Sequence, residues 1–115
     1  MDVNKFALDW IESWNSHNLE NILNHYTDDI EIITPMIKMA LGSGNGNLKG
    51  KTAVSEYWKK ALDKLPDLHF ELYEITAGVG CISLFYQSVM NKKAIETMFY
   101  NDEGKIYKMI ACYTD

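Results

Sequence analysis

The spacing of apolar residues near the start of the chain predicts an amphipathic helix. Phe6, Trp10 and Trp14 recur every four residues, and Asp9 and other polar residues occupy positions between them. Residues 16–18, Ser-His-Asn, interrupt this spacing with residue types that favour turns and helix caps. The first helix is therefore expected to end there, with one broad apolar face to bury.

A short second helix and a strand are predicted next. Apolar residues resume helical spacing after Asn18, a suitable N-cap, and the pattern extends to Tyr26. Residues 27–29, Thr-Asp-Asp, are expected to stop this helix as a turn. From residue 30 to residue 34 the alternation indicates a half-buried strand that ends at Pro35.

Residues 36–51 follow no regular pattern and predict a long loop. Four glycines lie within residues 42–50, but no Gly-Lys-Ser or Gly-Lys-Thr unit follows them at the spacing that a phosphate-binding loop requires. Ordered loops of this length are often lids over a site, and Met36 and Met39 would supply apolar contacts. A flexible surface hairpin is an equally good interpretation, so the role of the glycine-rich part stays open.

The clearest helix pattern lies between Thr52, expected as the N-cap, and Pro66, which ends the helix. Its inner face is apolar and consists of Val54, Tyr57, Trp58, Ala61, Leu62 and Leu65. Aromatic residues at helical spacing belong more often to the core than to a ligand site. This helix is therefore expected to lie inside the fold.

The last fifty residues alternate with period two and predict four strands, over residues 68–76, 81–90, 94–100 and 105–113. The residues expected on the inner, concave face are Ile82, Leu84, Tyr86, Ser88, Ala94, Glu96, Met98, Tyr100, Met109, Ala111 and Tyr113. The element order predicts an α+β fold in which one antiparallel sheet wraps around the helices, as a single domain over residues 1–115.

Charge and composition restrict the partners. A net charge of −5 and an isoelectric point near 5.1 leave no basic stripe, which argues against nucleic acid and anionic membranes and favours a small apolar molecule. No signal peptide or membrane span is evident, so a cytoplasmic protein is expected. Cys81 and Cys112 are expected to be reduced. The three histidines lack zinc spacing, and neither a metal nor a cofactor is expected.

Glu96 is the strongest candidate for a functional side chain. The alternation directs it into a pocket whose expected walls and floor are Trp10, Trp14, Trp58, Met98, Met109 and Tyr113. Burial would raise the pKa of its carboxyl group, which could then donate a hydrogen bond to a ligand carbonyl or act as a base. Alternatively, Glu96 faces outward or is a structural polar group bonded to Tyr26, Tyr86 or Trp10. Both interpretations stay open.

Several segments resemble the nuclear transport factor 2-like superfamily and, more narrowly, its bacterial SnoaL-like and ketosteroid-isomerase-like members. They are Trp-Asn near the end of the first helix and residues 18–35, 48–62, 66–72 and 101–113. The resemblance covers nearly the whole chain. It implies a cone-shaped, cystatin-like α+β barrel in which a curved antiparallel sheet wraps around three helices, with a pocket at the wide end. It also implies a homodimer that forms through the sheet.

The resemblance to ketosteroid isomerase extends to only part of its active site. Trp10 stands where that enzyme has a tyrosine that donates to the oxyanion, and Thr34 stands where it has the aspartate base. Glu96 corresponds to its third group, an acid, while Tyr26 and Trp58 match aromatic residues of its pocket. Because threonine cannot take up a proton near neutral pH, the departure weighs against that isomerase activity.

The sequence therefore favours a small-molecule pocket protein of the SnoaL-like group. Besides Glu96 as the catalytic candidate, the predicted ligand-binding residues are Trp10, Trp14, Tyr26, Thr34, Trp58, Tyr86, Met98, Met109 and Tyr113. Proton transfer next to a carbonyl, as in isomerisation or aldol-type cyclisation, would suit one buried acid. The alternative is a non-catalytic ligand-binding or dimeric interaction module. Tyr73, Phe85 and Val89 are the predicted dimer contacts on the outer sheet face.

Overall fold

The computed structural model describes residues 1–41 and 45–115, in which four α-helices precede the last four strands. The α-helices are α1 (Val3–Asn15), α2 (Leu19–Leu23), α3 (Pro35–Leu41) and α4 (Lys51–Lys64). The strands are β1 (Tyr26–Ile33), β2 (Asn47–Lys49), β3 (Glu71–Ala77), β4 (Cys81–Gln87), β5 (Lys93–Tyr100) and β6 (Ile106–Tyr113). A short 3-10 helix, Val89–Asn91, joins β4 to β5. The predicted α+β class is confirmed, with four α-helices in the described residues instead of three.

The six strands form one sheet in the order β2-β1-β6-β5-β4-β3. All neighbours are antiparallel except β1 and β6, which run parallel. The prediction of a wholly antiparallel sheet was therefore wrong at one pair. Side-chain alternation has the same period in both kinds of ladder, so it does not report strand direction.

The second helix is shorter than predicted. Asn18 caps α2 as expected, since its side chain accepts a 3.1 Å hydrogen bond from the Asn21 backbone N–H. The helix stops at Leu23, however, and Tyr26 begins β1. Residues 27–29, predicted to be a turn, lie inside this strand. The ladder with β6 shifts register between Tyr26 and Glu31, so residues 27–29 are an irregular, bulged stretch of the strand and not a separate turn.

Part of the segment predicted as an irregular loop is regular. Pro35 occupies the first position of α3, where its missing N–H has no helical acceptor to lose. The Thr34 hydroxyl oxygen accepts a 3.2 Å hydrogen bond from the Met36 backbone N–H. Gly46 has a φ of 77°, and a Cβ there would lie 3.3 Å from the Thr34 carbonyl oxygen, which explains the glycine. The prediction for residues 42–44 lies outside the described residues.

The central helix, α4, begins two residues earlier than expected. Its N-cap is Gly50 with a φ of 89°, and the predicted cap Thr52 lies inside the helix. Val54, Trp58 and Leu62 are its buried residues. The Trp58 ring lies 5.2 Å from the ring of Trp14, so α4 packs against α1 through this stripe.

Alternation on the long strands is confirmed. On β4 the side chains of Ile82, Leu84 and Tyr86 are buried, and on β5 those of Ala94, Glu96 and Met98 are buried. Register shifts occur in β1, between β3 and β4, and between β5 and β6. Such bulges increase local twist, which lets the sheet curve around α1 and α4.

Cys81 and Cys112 are free, and Cys112 is exposed on the outer sheet face. No helix in the described part of the chain is long and apolar enough to cross a membrane.

Truncating Trp58 is expected to destabilise the fold strongly. Its side chain is 4% exposed, and the centroid of its ring lies 5.2 Å from that of Trp14 and 4.9 Å from that of Tyr26. Trp58→Ala should lower the free energy of unfolding by about 3 to 5 kcal/mol, measured by urea denaturation. Leu8→Ala is the control, because Leu8 is 61% exposed and its loss should change stability by less than about 0.5 kcal/mol. Equal midpoints for the two variants would contradict this packing.

Candidate active site

A cavity of about 300 Å³ lies between the concave sheet face, α1, α3, α4 and the 3-10 helix. Its walls are aromatic rings, methionines and aliphatic side chains with a few polar groups. The lining residues are Trp10, Trp14, Thr34, Met36, Met39, Ala40, Leu41, Tyr57, Trp58, Lys60, Ala61, Lys64, Leu65, Leu68, Phe70, Tyr86, Ser88, Val89, Met90, Glu96, Met109 and Tyr113. This volume suits a small ligand.

Strand register places Glu96 in the wall of this cavity. Glu96 on β5 lies opposite Leu84 on β4 and Ala111 on β6. Tyr86 is its diagonal neighbour on β4, because Tyr86 lies opposite Ala94. Diagonal pairs on one sheet face are within reach of long side chains. The small side chains of Ala94 and Ala111 leave room beside the carboxyl group.

One hydrogen bond orients the Glu96 carboxyl group. The Tyr86 hydroxyl donates to Glu96 Oε1 at 2.8 Å. Among the described residues, Oε2 has no hydrogen-bond partner. Burial raises the pKa of Glu96 to about 7, although the Tyr86 hydrogen bond acts in the opposite direction. The carboxyl group is thus able to exchange a proton near neutral pH.

Three further phenol groups surround this acid. Burial raises the pKa of Tyr26, Tyr57 and Tyr113, and the Glu96 charge adds to each shift. For Tyr57 the value reaches about 12. These phenols therefore stay protonated at neutral pH. Tyr57 and Tyr113 line the cavity, so their hydroxyl groups can donate to a ligand oxygen.

The two indoles of α1 differ in their hydrogen bonding. Trp10 Nε1 donates to the Tyr26 hydroxyl at 2.8 Å, so it is not free for a ligand. Trp14 Nε1 is buried without a partner, and it is the single side-chain nitrogen or oxygen in that condition within the described residues. It lies near the Tyr26 hydroxyl without forming a hydrogen bond of good geometry. A buried N–H without an acceptor reduces stability.

A polar clamp connects α1 to the chain that enters β3. The Asn15 side chain accepts from the Phe70 backbone N–H at 2.7 Å and donates to the Phe70 carbonyl oxygen at 3.0 Å. His17 Nε2 lies 2.8 Å from the Leu68 carbonyl oxygen. These contacts hold Leu68 and Phe70 against the cavity. The Trp-Asn pair in the sequence thus supplies one cavity wall and one clamp.

Eight of the ten predicted site residues line the cavity, and the structure places Tyr26 and Met98 elsewhere. Tyr26 lies behind Trp10, to which it is hydrogen-bonded. Met98 is fully buried in the core beside Ile82 and Met109. Tyr26 was predicted from the resemblance to ketosteroid isomerase and Met98 from its inward direction, and neither argument separates a core position from a cavity wall.

The sequence left the contribution of the α3 segment open, as a lid or a surface hairpin, and missed its helical structure and the contribution of the 3-10 helix. Met36, Met39 and Leu41 line the cavity from α3, so this part of the predicted loop is a wall of the site. Helical spacing after a proline was the available signal. Val89, predicted on the outer face as a dimer contact, lies in the 3-10 helix and lines the cavity. The strand ends at Gln87, so the alternation does not continue to Val89.

Within residues 1–41 and 45–115, no group of three or more His, Cys, Asp or Glu side chains is arranged to hold a metal ion. His25, expected on the surface, is half-buried and meets the Phe6 ring edge-on at 5.3 Å. Burial lowers the pKa of its ring. Glu96 is the one carboxyl group in the described cavity lining.

Stability should depend on pH through Glu96. The folded protein holds this proton up to about pH 7, whereas the unfolded chain releases it from about pH 4.5. The stability that this group contributes is therefore complete below pH 4.5 and lost as pH rises through 7. The loss should be about 3 kcal/mol at most. It is measured as the difference in unfolding free energy between the wild type and Glu96→Gln.

The Gln variant is the matched control, because it keeps the shape of the side chain but does not titrate. His25 titrates in both proteins, so its effect cancels in the difference. Urea denaturation from about pH 4 to about pH 8 should give a wild-type curve that falls relative to the variant. Parallel curves would show that the pKa of Glu96 is not raised.

Solved structures share the whole fold. A SnoaL-like protein of unknown function from Burkholderia thailandensis E264 is 36% identical, with a TM-score of 0.94 over 98% of this chain and 94% of that chain. A protein with a cystatin-like fold from Methylobium petroleophilum PM1 is 12% identical, with a TM-score of 0.76 over 98% and 76%. TerC, co-crystallised with polyporic acid, is 16% identical, with a TM-score of 0.76 over 94% and 88%. The last two show the fold alone.

The family follows from the sequence match. No curated protein matches the chain. The family model for the SnoaL-like domain matches residues 7–96, which is most of the chain and includes most of α1, all of α4 and Glu96. The resemblance drawn from the sequence is confirmed: this chain belongs to the SnoaL-like domain family.

Proposed function

We propose that the protein binds a small apolar molecule in this cavity and transfers a proton next to its carbonyl group, with Glu96 as the acid–base group. The observation that carries the proposal is a buried carboxyl group with a pKa of about 7 and an unpaired Oε2 in the wall of an apolar cavity. A general base is most effective when its pKa lies near the working pH.

The walls favour an apolar ligand. Trp14, Trp58, Phe70 and Met109 present rings and a thioether to the cavity. A ligand of matching shape gains the free energy of removing apolar surface from water. An apolar ligand in the cavity would also keep water away from the Glu96 carboxylate. The pKa of Glu96 would therefore stay raised when the ligand is bound.

The chemistry requires one base and a donor for the developing charge. Glu96 carboxylate would take a proton from the carbon next to the carbonyl, and the electron pair would pass to the carbonyl oxygen to give an enolate. Tyr57 or Tyr113 would donate a hydrogen bond to that oxygen. Protonated Glu96 would return the proton to another carbon in an isomerisation. In an aldol-type cyclisation the enolate carbon would instead attack a second carbonyl carbon, whose oxygen would take the proton.

Thr34 makes Glu96 the group on which this proposal depends. Threonine at the position of the isomerase base cannot accept the proton. A SnoaL-like protein that catalyses the reaction with these residues must therefore use Glu96 itself. Tyr86 would keep the carboxyl group in position through Oε1 while Oε2 acts on the ligand.

Exchange of carbon-bound hydrogen tests the proposal without knowledge of the natural substrate. The probe is 2-tetralone, a small apolar ketone, in deuterated water, and loss of its proton signals next to the carbonyl is followed by NMR. The wild type should accelerate exchange with a half-maximal rate near pH 7. Glu96→Gln should slow the protein-catalysed rate by at least about 100-fold, the range of a lost general base.

A non-catalytic binding module is the second candidate. It is favoured by the Tyr86 hydrogen bond, which gives Glu96 a structural partner, and by the lack of a second carboxyl group in the described lining. In that case 2-tetralone would bind equally to the wild type and to Glu96→Gln, and neither would accelerate exchange at any pH. That result would exclude the catalytic proposal for ketones of this kind.

We also infer that two copies pair through the outer sheet face. Ile95 on β5 is 51% exposed and lies between Phe85 and Cys112 on the neighbouring strands. Tyr73 is 39% exposed, and its ring lies 5.2 Å from that of Phe85. Tyr73, Phe85 and Ile95 form an apolar row across three neighbouring strands, and a second copy would remove its surface from water.

Ile95→Lys should convert the dimer to a monomer, because it places a charge in the centre of the proposed contact. Leu8→Lys is the control, since Leu8 is 61% exposed on α1, away from the sheet face. Sedimentation velocity at micromolar concentration measures both. A wild type that sediments as a monomer would contradict the proposal.

A further inference from the structure

Two lysines form a basic edge along the cavity. Lys60 and Lys64 lie one turn apart on α4, and both line the cavity while their side chains remain exposed. Glu96 is the one other charged residue among the described lining residues. The cavity thus has a buried acid in its wall and a basic, solvent-exposed rim.

Within the described residues, neither rim lysine forms an ion pair with a carboxylate. The ion pairs within the described residues involve Lys5, Lys51 and Lys59. Lys59 is the informative neighbour, because it pairs with Asp63 at 3.1 Å on the side of α4 away from the cavity. The same helix therefore compensates the charge on its outer side and leaves the cavity side positive.

This arrangement is not explained by helix stability. Lysines at positions i and i+4 repel each other weakly on a helix surface. Lys64 lies in the last turn, where a positive charge is favourable, but Lys60 lies a full turn earlier. The protein as a whole has a net charge of −5, so the charge of the basic rim is opposite in sign to the overall charge of the protein. An anion bound between the two lysines would remove their repulsion.

We propose that the ligand is an amphipathic anion whose apolar body enters the cavity and whose carboxylate stays at the rim between Lys60 and Lys64. The proposal builds on the small-molecule function above and names the class of ligand. The acid in the wall fixes the direction of entry, because deprotonated Glu96 repels a second negative charge within the cavity. The apolar walls near Trp14 and Phe70 then receive the uncharged end.

A pair of probes separates the rim from the cavity. 2-Naphthoate carries the carboxylate, and 2-naphthamide has the same ring system without charge. Binding is followed by calorimetry, with tryptophan fluorescence as a second signal because Trp10, Trp14 and Trp58 line the cavity. The wild type should bind 2-naphthoate more tightly than 2-naphthamide, and salt at about 1 M should weaken only the first.

The decisive variant is Lys60→Gln/Lys64→Gln. It should weaken 2-naphthoate binding by about 3- to 10-fold, as expected for two exposed charge contacts, and leave 2-naphthamide binding unchanged. The matched control is Lys51→Gln/Lys59→Gln, which removes two charges from the same helix away from the cavity. Both probes should bind this control as tightly as they bind the wild type.

The possible failures are distinct. Equal loss of 2-naphthoate affinity in both double variants would attribute the effect to overall charge and overturn the role of the rim. Unchanged 2-naphthoate binding to Lys60→Gln/Lys64→Gln would overturn it as well, while 2-naphthamide binding would still support the cavity function. If neither probe binds the wild type, the cavity function fails together with the ligand class.

Discussion

Burial of a cluster of aromatic rings joins α1, α4 and the sheet, and the rest of the fold depends on it. The centroid of the Trp14 ring lies 5.2 Å from that of Trp58 and 5.5 Å from that of Phe70. Trp10 stacks on Phe70 at 5.8 Å and meets Tyr86 edge-on at 5.4 Å. Such rings bury large areas and add specific contact energy. Because the same rings line the cavity, the packing that stabilises the fold also determines the shape of the site.

A carboxyl group inside this cluster is unfavourable, and the structure compensates for it only in part. Tyr86 satisfies one oxygen of Glu96, while Oε2 keeps no protein partner in the described residues. Desolvation therefore outweighs the hydrogen bond, and the pKa rises. Trp14 Nε1, which also lies near the cavity, is fully buried and has no partner in the described residues. Apolar side chains of similar volume would often be more stable in such places, and exceptions of this kind are expected at functional sites.

The sequence predicts those parts of the fold whose side-chain pattern is sufficient by itself. The apolar residues at helical spacing around Trp58 predict a buried face on α4, independent of which element packs on it. The alternation of apolar and polar residues around Glu96 likewise predicts a half-buried strand. The pairing of strands is different, because it depends on distant residues. The turn predicted at residues 27–29 is instead an irregular stretch of β1, held at both ends by pairing with β6. Tyr26 changes from the end of a helix to the start of a strand for the same reason.

The same difference, between what a local pattern predicts and what depends on distant residues, applies to single residues of the candidate site. A helical pattern assigns Lys59, Lys60, Asp63 and Lys64 to one outer face of α4, without a difference between them. The structure separates them, because Lys59 pairs with Asp63 while the other two lysines border the cavity. The position of a charge relative to a cavity depends on α3 and the 3-10 helix, which form the rest of the rim. Polarity along the site, from the buried acid at Glu96 to the basic rim, is therefore a property of the tertiary structure and not of any one element.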